Sequence, residues 1–357
     1  MSEKPLLPEA SLMDAVLAIE VSCRRMAVVV AQDGHLLGTL TDGDIRRHLL
    51  AGGSLEAPVS KAMNPHPHTV EIGSPDGYIK DMMRRGNVIA LPLLDKAGKF
   101  LRLIHLMDLE QEEGDTQVSV ASLGFSFAVI MAGGEGTRLR PLTEDIPKPM
   151  VEIGGAPLLE RQIQRLAKVG ISRVYISVNY LSHIIEDYFG DGRDFGIEIC
   201  YLREQEKLGT AGALSLLPEH PERSIMVMNG DILTTSDLDS LYSFHMNHGA
   251  KITVAAIDHR VDIPYGVIRA DGPFITGIDE KPSERFLCNA GIYAVSPEAL
   301  KLLPEDKYSD MTDLIDACFA INLPVAVFPV HEYWNDIGTP DDLEKARVHF
   351  AKMEIIK

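Results

Sequence analysis

The run Met131-Ala132-Gly133-Gly134-Glu135-Gly136-Thr137-Arg138-Leu139-Arg140-Pro141-Leu142-Thr143, followed by Pro147-Lys148-Pro149-Met150, sets three glycines close to several cations. It comes directly after a compact apolar strand, Phe127 to Met131. Glycines there let the backbone approach a polyphosphate and turn several N–H groups toward it. Arg138 and Lys148 add positive charge where such an anion would lie. Two familiar phosphate loops do not fit. A Walker A loop needs Lys-Ser or Lys-Thr after its last glycine, and here Thr137-Arg138 follow Gly136. A dinucleotide fingerprint needs glycine or alanine where Leu139 stands.

The full string resembles the signature of the NDP-sugar pyrophosphorylases (sugar-1-phosphate nucleotidyltransferases), and the likeness runs from Phe125 to the chain end. Further motifs follow in the family's order. The resemblance implies a nucleotide held by Ala132, Gly133, Gly134, Gly136 and Thr137, and by Gly209, Thr210 and Ala211 of the turn Leu208-Gly209-Thr210-Ala211-Gly212-Ala213. It implies a metal on Asp231 of Met228-Asn229-Gly230-Asp231 and on Asp336 of Trp334-Asn335-Asp336-Ile337-Gly338-Thr339-Pro340. A sugar phosphate would meet Gly266 of Tyr265-Gly266-Val267, Glu280 and Lys281 of Glu280-Lys281-Pro282, and Asn289 of Asn289-Ala290-Gly291-Ile292-Tyr293. Arg138, Lys148 and Lys281 would be the catalytic cations.

These roles also follow from the reaction. A sugar-phosphate oxygen attacks the α-phosphorus of an NTP in line and expels pyrophosphate, so two anions must be brought together. Positioning and charge neutralisation then supply most of the catalysis. Mg²⁺ favours a few carboxylates plus substrate phosphates, which suits two aspartates. Arg138 would hold the leaving pyrophosphate, Lys148 the α-phosphate, and Lys281 the nucleophile. A phosphate monoester is already ionised at neutral pH, so no general base is required, and the scattered histidines are assigned no role. Singly, each residue has a structural alternative: Asp231 as a turn residue, Asp336 as a helix N-cap, Lys148 as a solvated loop charge.

The elements around these motifs alternate in type. Expected are a helix over 156–169, strands over 173–178 and 197–201, a helix over 181–189 and a strand over 225–228. This predicts an α/β fold: a Rossmann-like, mostly parallel sheet with helices on both faces. Later strands, over 251–257, 265–269 and 290–295, read as more antiparallel.

The first hundred residues have another character. A shift of 64 positions lays Val30 on Leu94, Gly34 on Gly98, Leu37 on Leu101, Leu40 on Ile104 and Asp44 on Asp108. Neither copy can bury both faces alone, so the two should pack together. The segment resembles a CBS-domain pair, a small α+β adenine-nucleotide-sensing module, with the likeness centred on Gly38-Thr39-Leu40-Thr41-Asp42-Gly43-Asp44-Ile45. The resemblance implies a regulatory adenine nucleotide at Thr41 and Asp44, and at Asp108 of the second copy. Alternatively Thr41 and Asp44 simply cap the following helix. In the second copy Arg102 and His105 replace Gly38 and Thr41, favouring one nucleotide site or none. The expected organisation is a regulatory pair over 1–113, a polar linker over 114–124 and a catalytic domain over 125–357.

Composition narrows the partners. A net charge of −18 argues against nucleic acid, though not against a nucleotide held by local cations and N–H groups. No stretch approaches the roughly 18 apolar residues of a membrane span. Met1 to Pro5 lacks the basic and then apolar run of a signal peptide, and the four cysteines form no CxxC pair. A cytoplasmic homo-oligomer that takes an NTP and a sugar 1-phosphate is expected. The turn at 208–213 resembles guanylyltransferases for mannose, heptose or glucosamine 1-phosphate more than thymidylyltransferases. The fused CBS pair is similar to enzymes feeding surface glycans or legionaminic acid. UTP or CTP, a phosphocholine-type acceptor, and a catalytically silent nucleotide-sensing homologue remain the alternatives.

Overall fold

The computed structural model describes residues 4–22, 25–86, 88–105, 109, 124–305 and 307–356. The chain divides into two units, Met1–Val118 and Ser119–Lys357. Asp108 and all but the last residue of the expected linker lie outside the described residues.

The first unit is built twice from one pattern. Its elements are α1 (Leu12–Ser22), β1 (Met26–Val30), β2 (Leu36–Thr41), α2 (Asp42–Leu50), β3 (Val70–Glu71), α3 (Asp76–Gly86), β4 (Ala90–Leu94) and β5 (Phe100–His105). The repeat seen in the sequence is a repeat of hydrogen bonds. Leu6 bridges Val29 in parallel, and the residues 64 positions later, Val70 and Leu93, pair in the same way. The β1–β2 and β4–β5 hairpins are both antiparallel. The copies join reciprocally: Leu36 N–H donates to Gly98 O at 3.3 Å, and Phe100 N–H donates to Gly34 O at 3.0 Å. Val28, Val30 and Leu103 close the apolar seam, as the size of one copy requires.

The second unit is organised by a seven-stranded sheet. Its strands are β6 (Ala128–Met131), the short hairpin β7 (Glu152–Ile153) and β8 (Ala156–Pro157), β9 (Arg173–Val178), β10 (Glu198–Arg203) and β11 (Ile225–Asn229). These are followed by β12 (Ile232–Thr234), β13 (Ile252–Asp262), β14 (Val267–Asp271), β15 (Phe274–Asp279), β16 (Ser283–Val295), β17 (Val325–Val330) and β18 (Trp334–Asp336). The order in the main sheet is β10-β9-β6-β11-β16-β13-β17. Pairing is parallel except where β16 meets β11 and β13. The mostly parallel α/β sheet expected from the sequence is therefore present, with its antiparallel part late in the chain.

Strand alternation explains the two helical layers. Ala128 and Ile130 face one core with Val174, Ile176, Met226 and Met228. That core takes the apolar stripes of α4 (Leu158–Lys168), α5 (Ser182–Phe189) and α6 (Leu238–Asn247). Phe127 and Val129 face the opposite core, packed by Leu214, Leu300 and α7 (Met311–Ala320). A third cluster sets Leu139, Val151 and Ile153 against Ile337, Leu343 and Ala346, the last two on α8 (Pro340–Ile356). Leu139, the residue that breaks the dinucleotide fingerprint, is thus a core anchor of the glycine loop.

One buried polar knot sits in this frame. The His245 ring contacts Ser224 and Ser296 hydroxyls, both at 3.0 Å, and the Thr253 hydroxyl at 2.9 Å. Burial, helped by Lys251, depresses its pKa from 6.5 to about 4. Folded His245 stays neutral over a range in which the unfolded chain binds a proton. Its contribution is complete above pH 6.5 and is lost as pH falls toward 4, by about 3 kcal/mol in all. Denaturant titrations between pH 7 and 4.5 should show this loss, and His245→Gln should flatten that part of the profile.

Candidate active site

The loop after β6 is a row of open donors. Ala132 N–H donates to Ser177 O, and Leu139 N–H donates to Gly136 O, both at 2.9 Å. Between these two anchors, the N–H groups of Gly133, Gly134, Glu135, Gly136 and Thr137 make no hydrogen bond among the described residues. Such a row can receive an anion. Two of its glycines serve different ends. Gly136 has φ +61°, and a Cβ there would come within 2.8 Å of Lys148 Cβ. Gly134 has neither a left-handed φ nor any atom within 4 Å of where a Cβ would stand. Its missing side chain leaves open space over the loop, where an incoming group could lie.

Beneath the loop lies a cluster of charges. Lys148 is only 8% exposed, and its Nζ is 2.5 Å from Asp231 Oδ2 and 3.7 Å from Asp336 Oδ1. Two local devices bring the aspartates together. The antiparallel β12–β18 pair sets Ile232 opposite Asp336, and Ile337 N–H donates to Asp231 O at 2.9 Å. Gly230 N–H donates to Met131 O at 2.8 Å, holding the Asp231 turn against the start of the glycine loop. A Cβ on Gly338 would lie 3.4 Å from both Arg138 Nη1 and Asp336 Oδ2, so the Arg138 guanidinium borders the same carboxylate. Burial and the neighbouring Asp231 charge push the Asp336 carboxyl upward, while Lys148 and Arg138 oppose the shift.

Two structural alternatives therefore fail. Lys148 is not a solvated loop charge. Asp336 does not cap α8, because Thr339 does so through reciprocal bonds with Asp342. Asp231 does occupy a turn, but its side chain is turned onto Lys148.

The turn at 208–213 is fixed from outside. Thr210 N–H and hydroxyl donate to Asp310 Oδ1 at 3.0 and 3.1 Å, while Ala211 and Gly212 N–H both donate to Ser309 O at 2.9 Å. At Gly209, φ is +79° and a Cβ would meet Ser309 O at 2.6 Å. Glu204 ties this turn to the glycine loop. It accepts from the Ser177 hydroxyl and, at 2.9 Å, from Leu208 N–H, and a Cβ on Gly133 would stand 2.9 Å from its Oε1. A second tie joins Lys207 Nζ to Glu135 Oε1 at 2.5 Å, and Lys207 draws the Glu135 carboxyl down.

The residues expected to meet a sugar phosphate sit on an arm formed by the outer ends of β13 and β16 with the β14–β15 hairpin. Gly266 and Glu280 adjoin, with Glu280 Oε2 3.0 Å from the position of a Gly266 Cβ. Lys281 is exposed with φ +46°. Asn289 donates to the Tyr293 hydroxyl at 2.7 Å and accepts from Gly291 N–H at 2.9 Å. Among the described residues, no hydrogen bond or ion pair joins Lys281 to the Lys148 cluster.

In the first unit, Thr41 and Asp44 form a capping box on α2, with the Thr41 hydroxyl donating to Asp44 Oδ2 at 2.6 Å. Arg47 also pairs with Asp44 at 2.5 Å. A ribose at Asp44 would have to compete with both partners.

Sequence reading missed Gln162, Glu204, Ser309 and Asp310. Gln162 is 5% exposed, and its Nε2 donates to Asn229 O and Ile232 O, at 2.9 and 2.7 Å, on either side of Asp231. Its signal was available: a polar residue on the apolar face of α4, beside Leu159, Ile163 and Leu166.

Comparison with known proteins gives the family. The family profile described as "Nucleotidyl transferase" matches residues 127–353, and that for the CBS domain matches residues 4–51. The chain belongs to the nucleotidyl transferase family and carries an N-terminal CBS domain. It is 32% identical over 235 residues to the mannose-1-phosphate guanylyltransferase of Mycobacterium tuberculosis, covering 63% of this chain and 64% of that protein. It is 35% identical over 226 residues to the mannose-1-phosphate guanyltransferase of Saccharomyces cerevisiae, covering 60% of this chain and 62% of that protein. The chain thus spans less than two thirds of these relatives. A UDP-glucose pyrophosphorylase from Acinetobacter baumanii shares the fold, with a TM-score of 0.50 at 20% identity over 63% of this chain and 93% of that one.

The two glycines provide a test. Gly134→Ala should leave stability within about 0.5 kcal/mol and weaken nucleotide binding in calorimetry. Gly136→Ala should cost about 1–2 kcal/mol in denaturant unfolding, through its left-handed backbone.

Proposed function

We propose that the protein is a Mg²⁺-dependent sugar-1-phosphate nucleotidyltransferase that forms an NDP-sugar and pyrophosphate from an NTP and a sugar 1-phosphate. GTP and a mannose-type hexose 1-phosphate are the proposed pair. One observation carries the proposal: the N–H row of Gly133 to Thr137, unpaired among the described residues, packs at Gly136 against Lys148, whose ammonium pairs with Asp231 and Asp336. The base and sugar are supported by the relatives named as mannose-1-phosphate guanylyltransferases.

Asp231 and Asp336 fit a hard dication. Two carboxylates converge, and among the described residues Asp336 Oδ1 is buried without a hydrogen-bond partner. Mg²⁺ bound there would screen the phosphate charge and polarise the α-phosphoryl group. The glycine loop receives the triphosphate on its N–H groups, and Arg138, exposed beside Asp336, takes charge on the departing pyrophosphate. The sugar-phosphate oxygen forms the new bond to the α-phosphorus as the α–β bridging bond breaks, and pyrophosphate leaves with the electron pair. Lys281 and Glu280 on the arm would present the acceptor.

Pyrophosphate release, measured with Mg²⁺ for GTP, UTP, CTP, dTTP and ATP against a panel of sugar 1-phosphates, should be fastest with GTP and a mannose-type acceptor. Asp231→Asn should lower kcat by roughly two orders of magnitude or more. Release with no pair, from folded protein that still binds nucleotide, would reject the enzyme reading in favour of a nucleotide sensor. An adenine nucleotide is the proposed ligand of the CBS module. Calorimetry of the whole chain with ATP or AMP should show binding that Asp44→Asn weakens.

A further inference from the structure

The two aspartates are already balanced before any substrate arrives. Asp231 and Asp336 carry two negative charges, and Lys148 and Arg138 bring two positive ones to the same place. We infer that in the nucleotide-free protein the Lys148 ammonium fills the cation position between Asp231 and Asp336, so that a divalent ion is admitted there only when nucleotide phosphate draws the ammonium away. This rests on the metal-dependent reading of the site given above.

The geometry supports a transferable ammonium. Lys148 Nζ bonds Asp231 at 2.5 Å but stands 3.7 Å from Asp336 Oδ1, an atom that is buried and has no hydrogen bond among the described residues. The ammonium thus satisfies one carboxylate and only partly serves the other. The base of its side chain is held under Gly136, where a glycine Cβ would be 2.8 Å from Lys148 Cβ. That glycine belongs to the free N–H row, so the stem of Lys148 is fixed beside the proposed phosphate position. A lysine stem has four rotatable carbons, and its ammonium can turn from carboxylate to phosphate without moving the backbone. A dication alone would leave the cluster strongly positive and would meet the ammonium at close range. With a triphosphate present its negative charge more than offsets the two positive charges of the ion, and Lys148 gains a better anion than Asp231. Metal and nucleotide then assist each other's binding, and the assistance is reciprocal.

Binding of Mn²⁺ tests this without turnover. The whole chain, free of nucleotide and at pH 8, is titrated with Mn²⁺ and the free ion followed by electron paramagnetic resonance. Wild type should bind weakly at the Asp231-dependent site. Lys148→Met and Lys148→Gln should bind at least about tenfold more tightly, because the competing charge is gone. Lys148→Arg should remain as weak as wild type, which separates charge from a general structural role. Thermal melts of each variant establish that it is folded. Equal or weaker binding by folded Met and Gln variants, with Asp231→Asn still abolishing it, would overturn the inference and leave the metal site standing. If no protein binds Mn²⁺ in an Asp231-dependent way, with or without GTP, the metal-dependent reading falls as well.

Discussion

The ammonium of Lys148 between two carboxylates is the constraint around which the second unit is arranged. Burial makes the Asp336 carboxyl harder to ionise, and repulsion from the neighbouring Asp231 adds to it. The chain accepts that cost by converging on the pair from several directions. The β12–β18 ladder sets the spacing, Gln162 braces both sides of the Asp231 turn, and Gly230 fits against Met131 where any side chain would collide. Lys148 and Arg138 then supply the opposite charge. A cluster that is neutral when empty can be stable in the fold and still be displaced by a stronger set of charges.

The sheet explains why these parts meet at one edge. Strands β10, β9, β6 and β11 run parallel, so their carboxyl ends lie along the same side. The residues that follow those ends are Glu204, Asn179, Ala132 and, past Gly230, Asp231. Glu204, Ala132 and Asp231 belong to the candidate site or to its supports, and Asn179 joins them by donating from Nδ2 to Glu204 O at 2.8 Å. In open α/β sheets ligands bind outside the carboxyl ends of the strands, and this chain places its loops accordingly. Glu204 shows how closely the supports are shared, since one carboxylate holds the end of β9 and the start of the turn at 208–213.

Much of this was legible in the sequence because it depends on local chemistry. The glycine loop, the two aspartates and the alternation of strands and helices are short-range signals, and the internal repeat survived because matching residues make matching hydrogen bonds. Other features left no local trace. Strand β12 has three residues, too few for a period, and its partner β18 lies about a hundred residues away. Strand β17 contains Pro329, which argues against a strand until the topology shows it at the sheet edge. Gln162, Ser309 and Asp310 act through folded neighbours distant in sequence, so only the assembled chain shows what they hold.

The free N–H row raises a question of stability that its exposure answers. Five unpaired backbone donors inside a core would be costly. Gly134 and Thr137 are exposed and the intervening residues partly so, and water can serve these groups when no ligand is present. A phosphate that replaces this water forms charge-assisted bonds, stronger than those it displaces. The same logic governs the overall charge of −18, which would repel a triphosphate from most of the surface. Attraction must therefore be local, and the loop donors, Arg138 and Lys148 concentrate it in one place. The glycine loop can stay open and hydrated because the ion cluster beneath it is already held together, and a nucleotide alters that balance only by bringing its own charge.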